Sequence, residues 1–122
     1  MVGARGGLSR LKIFDWLCAI VVFALGIVHC ALTPVVYRPF SLSALWFFAA
    51  GLALVFMGMF NVLRLKGPSS PLLRFFSTIA NVSGLLVAVL FALKVNLAQN
   101  PQGVILLIAL AGEFLFSILR WR

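Results

Sequence analysis

Four long apolar stretches, Ile13 to Leu32, Ala44 to Leu63, Phe75 to Leu93 and Gly103 to Leu119, occupy most of the chain, with short polar connections between them. A helix crosses the hydrocarbon core of a bilayer with roughly 20 apolar residues, and about 17 suffice. Inside that core each backbone N–H and C=O has to be bonded within its own segment, which leaves the α-helix as the solution for runs of this length. The expected fold is therefore an all-α integral membrane protein: a single domain over 1–122, built as an antiparallel bundle of four transmembrane helices.

The punctuation at the run ends agrees. Ser41 or Ser43 is placed to cap the second helix, Ser70 with Pro71 to open the third, and Asn100 with Pro101 to open the fourth. The connections, Thr33 to Ser43, Arg64 to Arg74 and Lys94 to Gln102, are too short for further domains. Successive helices must run antiparallel. Pro34 and Pro39 stiffen the first connection, and Gly67, Pro68, Ser69 and Ser70 mark the second as a turn. The first run exceeds the apolar core of a signal peptide, about 7 to 15 residues, and no small-x-small cleavage pattern closes it, so it is expected to be retained.

Composition narrows the class further. Hydrophobic residues make up 64% of the chain and charged residues 10%, against about 25% charged in soluble domains. The formal net charge of +8 arises from ten Lys and Arg against two acids, Asp15 and Glu113. Because those cations fall between apolar runs, anionic lipid headgroups, not nucleic acid, are the expected partners.

The distribution of cations sets an expected orientation. One face receives Arg5, Arg10 and Lys12 from the N-terminal tail, Arg64, Lys66 and Arg74 from the second connection, and Arg120 and Arg122 from the C-terminus; the other receives Arg38 and Lys94. The positive-inside rule then puts both termini in the cytoplasm, in a multi-pass arrangement expected in a bacterial inner (plasma) membrane. Trp16 and Trp121 fall at the inner boundary, Tyr37 and Trp46 at the outer one, and Trp16, Tyr37 and Trp121 are read as interfacial anchors.

On this threading Asp15, Asn61, Asn81 and Glu113 all lie in the inner half of the membrane. Polar side chains facing lipid are costly, so Asn81 and Glu113 are expected to turn into the bundle, with Glu113 either a proton or cation site or a structural residue paired with Asn81, Arg120 or Arg64. Asp15 follows Lys12 by three residues and is expected to form a solvated pair with it at the interface. At the outer end His29, Thr33, Trp46 and Lys94 are candidates for lining a vestibule. Candidate ligand- or ion-binding residues are thus Glu113, Asn81, Asn61, His29, Thr33 and Trp46.

Other patterns bear on packing. Ser77, Asn81, Gly84, Ala88 and Ala92 form one small-residue stripe on the third helix, and Gly51 and Gly58 share a face of the second, which permits close approach of helix backbones. Cys18 and Cys30 stand roughly 18 Å apart along one helix, beyond disulfide reach. No metal-ligand spacing, catalytic constellation or nucleotide-binding loop is visible, so no cofactor or metal is expected and an enzyme is disfavoured. Two functions fit: transport or binding of a small molecule, ion or lipid through an oligomeric bundle, or a non-catalytic accessory role in a larger membrane complex.

Overall fold

The computed structural model describes residues 2–67 and 70–119, with side chains described from residue 10 onward except at position 97. Trp121, Arg120 and Arg122 lie outside the described residues. The described chain is helical throughout its ordered elements and contains no strand: α1 (Val2–Val36), α2 (Leu42–Lys66), α3 (Pro71–Lys94), a short 3₁₀ turn (Leu97–Gln99) and α4 (Pro101–Ile118). Four of these helices are long and apolar enough to cross a membrane.

Each helix starts where local chemistry permits. Ser41 caps α2, its hydroxyl accepting from the Ala44 N–H at 3.2 Å, and Ser70 does the same for Leu73 at the start of α3. Pro71 and Pro101 occupy first-turn positions, where no N–H is needed. Asn100 does not cap α4 with its side chain; its amide donates instead to the Asn96 carbonyl at 2.9 Å. The helices overrun the apolar stretches. α1 continues through Thr33 and Pro34 to Val36, so Pro34 sits in its last turns and not in the connection. α2 continues to Lys66, which makes Arg64 a helical residue.

The packing order is circular: α1 lies against α2 and α4, and α3 lies against α2 and α4, giving an up-and-down bundle whose neighbours in sequence are neighbours in space. The closest pairing is α1 with α2. A Cβ placed on Gly58 would stand 2.6 Å from the Phe23 Cβ, and one on Gly51 would stand 2.9 Å from the Cys30 backbone nitrogen. Here the absence of a side chain is what lets the two backbones approach. The apolar centre is formed by Val22, Leu54, Met57, Ala109 and Leu110, with Ala80, Leu85 and Ala88 packed against it.

Burial is inverted relative to a water-soluble bundle. Asp15, Asn61, Ser77, Asn81 and Glu113 are completely buried, whereas Phe40, Leu42, Trp46 and Leu93 are each more than two-thirds exposed. A hydrocarbon solvent produces this distribution, because apolar surface costs nothing there and unpaired polar groups cost several kcal/mol.

Candidate functional site

The buried polar side chains converge at the end of the bundle that carries the α2–α3 turn. α1 supplies Asp15, one position on a stripe that also buries Cys18, Ala19 and Val22. α2 supplies Asn61 and, one turn later, Arg64. α3 supplies Asn81, and α4 supplies Glu113. All four helices therefore meet in one cluster.

Arg64 is its centre. Its Nη1 lies 3.1 Å from Asp15 Oδ2 and its Nη2 2.8 Å from Asp15 Oδ1, a two-pronged pair. The same Nη2 lies 2.9 Å from Glu113 Oε2, and Nε donates to Asn61 Oδ1 at 3.4 Å. Planar guanidinium suits this task, since its donors point in fixed directions that match carboxylate oxygens. Next to it the two asparagines exchange amide hydrogen bonds: Asn61 Nδ2 donates to Asn81 Oδ1 at 2.8 Å, and Asn81 Nδ2 donates to Asn61 Oδ1 at 2.9 Å. Their remaining donors reach the Met57 and Glu113 carbonyls.

Among the described residues one buried side-chain oxygen or nitrogen is left without a hydrogen-bond partner: Glu113 Oε1. Each such group calls for a physical account. Below the cluster a second set of contacts closes the same end, with Arg74 donating to the Ser117 and Ile118 carbonyls at 3.3 and 2.7 Å and Ser77 donating to the Phe60 carbonyl at 3.3 Å.

Of the residues singled out from sequence, Glu113, Asn81 and Asn61 are brought together here. Asp15 corrects the expectation of an interfacial pair with Lys12: it is fully buried and bound to Arg64, while Lys12 is exposed. The reason is helical phase. Asp15 shares the inward stripe of α1, three residues before Cys18, whereas Lys12 points away from the bundle. Arg64, one of the partners the sequence offers for Glu113, does pair with it, and it does so from within α2, which continues past the end of the apolar run at Leu63. The available signal was Asn61 and Arg64 at a spacing of three, one face of a helix continued by a single turn.

His29, Thr33 and Trp46 lie elsewhere. His29 is about 21 Å from Asp15 along α1, taking fourteen residues at the helical rise. Its ring stacks on Phe47, with centroids 3.6 Å apart, and the Tyr37 ring lies tilted against the same Phe47 ring at 5.3 Å. Thr33 is buried and donates to the His29 carbonyl at 3.0 Å, while Trp46 is exposed on the α2 surface. Trp16 is half-buried beside Asp15. Cys18 and Cys30 are free thiols. Among the described residues no three His, Cys, Asp or Glu side chains converge as a metal site would require.

Compared with known protein families, curated proteins and solved structures, the chain matches none.

Proposed function

We propose that this chain is a small membrane-embedded binding or transport protein, working as an oligomer in the plasma membrane, in which the Arg64 cluster takes up an ion or small polar ligand. The observation that carries this reading is Glu113: a fully buried carboxylate, held by one oxygen, with its other oxygen unpartnered in a setting where every neighbouring polar group is bonded. Ionisable groups placed inside a membrane are costly and mark ligand or ion pathways by default. The cation imbalance supports an orientation with both termini, and hence the cluster, toward the cytoplasm.

A second reading, an accessory subunit of a larger membrane complex, is supported by the way Arg64 and Asn81 tie all four helices together, which is what a purely structural keystone would do. Native mass spectrometry of the protein extracted in its own lipids separates the two. A homo-oligomer retaining a small ligand, lost in a folded Glu113→Gln variant, supports binding or transport. A complex with a different, larger subunit and no ligand supports the accessory role.

A further inference from the structure

The charges of the cluster do not balance. Asp15 and Glu113 bring two carboxylates, and Arg64 brings one guanidinium. The other groups facing Glu113 do not supply the missing positive charge. On α1 the neighbour besides Asp15 is Cys18, whose Sγ would lie 2.9 Å from a Cβ on Gly112. On α2 Lys66 is exposed, and on α1 so is Lys12. On α3 the contacting group is the neutral Asn81, and Arg74 is committed to the Ser117 and Ile118 carbonyls. A surplus negative charge buried in a low-dielectric bundle is not left uncompensated.

We infer that the Asp15–Arg64–Glu113 cluster is a binding site for one proton, carried by the Glu113 carboxyl. The inference deepens the reading of the cluster as a binding element, and rests on it, by naming the ligand. Three observations support it. Glu113 Oε1 is buried and has no donor pointing at it, so the lone pair a proton needs is free. The Glu113 and Asp15 carboxylates are held on the same nitrogen, Arg64 Nη2, at 2.9 and 2.8 Å, so two like charges are kept close together with one guanidinium between them. Two close carboxyls holding one proton between them is the arrangement that like charges favour. A metal cation fits less well: hard cations gather about six or more oxygen ligands, whereas the Asn61 and Asn81 amide oxygens and both Asp15 oxygens are already engaged.

The step is a simple association. A proton from the aqueous phase adds to the Glu113 carboxylate, no other bond breaks, and the cluster passes from one net negative charge to neutrality. Arg64 keeps its two-pronged hold on Asp15 throughout.

The sequence offers a clean test, because Glu113 is the one glutamate and Asp15 the one aspartate. The full chain is synthesised with an isotope-labelled side-chain carboxyl carbon in glutamate or, separately, in aspartate, and reconstituted in lipid bilayers. Infrared spectroscopy at neutral pH then reads each group without any substitution. The expected result is one equivalent of carboxylic acid per chain at the Glu113 label and a carboxylate at the Asp15 label. Carboxylate signals from both labels overturn the inference, as does a carboxylic acid signal from Asp15 in place of Glu113. The readout is independent of cargo. A protonated Glu113 in a chain that purifies only as a subunit of a larger complex keeps the proton site and removes the transport reading, whereas a ligand-bearing oligomer with an ionised Glu113 does the reverse.

Discussion

Arg64 and Asp15, forty-nine positions apart in the chain, face each other with two nitrogen–oxygen contacts of 2.8 and 3.1 Å and almost no exposure on either side chain. The pair joins the N-terminal half of α1 to the last turn of α2, and the same guanidinium reaches across the bundle to α4. Its strength depends on completeness: a buried charge left by removal of its partner is destabilising by about 3 to 5 kcal/mol, while removal of both partners is far milder.

Arg64→Gln is therefore expected to be the most damaging single change at the cluster, lowering stability by about 3 to 5 kcal/mol. Addition of Asp15→Asn to that variant should recover part of the loss. Unfolding of the purified protein in mixed micelles, followed by circular dichroism, measures both. Additive losses in the double variant would show that the two side chains do not act as a pair.

The reciprocal amide pair of Asn61 and Asn81 links α2 to α3, alongside the Ser77 hydroxyl's bond to the Phe60 carbonyl. Interhelical hydrogen bonds in membranes contribute about 0.6 kcal/mol on average and up to about 1.7. Asn81→Leu is expected to cost about 1 to 2 kcal/mol, since it also leaves the Asn61 amide short of a partner. Asn61→Leu combined with Asn81→Leu should cost less than the sum of the two single changes, read in the same unfolding assay.

Gly58 lies where the Phe23 backbone and Cβ leave no room for a side chain, the would-be contacts being 2.6 to 2.9 Å. Gly58→Leu must push α1 and α2 apart and is expected to cost about 1 to 3 kcal/mol or more, the range for overpacking a close contact. A change of the same size at exposed Met59 should be nearly silent, and equal effects at the two sites would count against a tight α1–α2 seam.

Arg74 satisfies two carbonyls at the end of α4 that have no acceptor role within the helix. Arg74→Ala is expected to loosen the final turn of α4 without disturbing α1 or α2. Hydrogen exchange in bilayers should show faster exchange confined to the amides near Ser117 and Leu119. Faster exchange spread through the whole bundle would mean that Arg74 holds more than this helix end.

Much of the fold is legible in the sequence. Run lengths, Ser41, Ser70 and the two prolines at helix starts located four helices, because local propensity, capping and the demand for backbone bonding in hydrocarbon all act within a few residues. Helix ends were less legible. Arg64 and Lys66 belong to α2, and Pro34 to α1, because a helix continues past the last apolar residue until its backbone bonds can be met by water or a neighbouring element, and hydropathy does not report that point.

The candidate site was half legible. Glu113, Asn81 and Asn61 stand out as polar residues inside apolar runs, so their inward direction follows from the cost of facing lipid. That Asp15 belongs with them, and that Arg64 is the group they surround, depends on which faces of α1, α2 and α4 meet, a matter of rotation about each helix axis and of their circular order. The sequence alone determined that this chain forms four membrane-length helices and that a few polar groups must be hidden among them. Only the tertiary structure decided that Asp15, Asn61 and Glu113 share one arginine and that one oxygen of Glu113 is left without a partner, because partners separated by much of the chain are selected by packing, not by spacing.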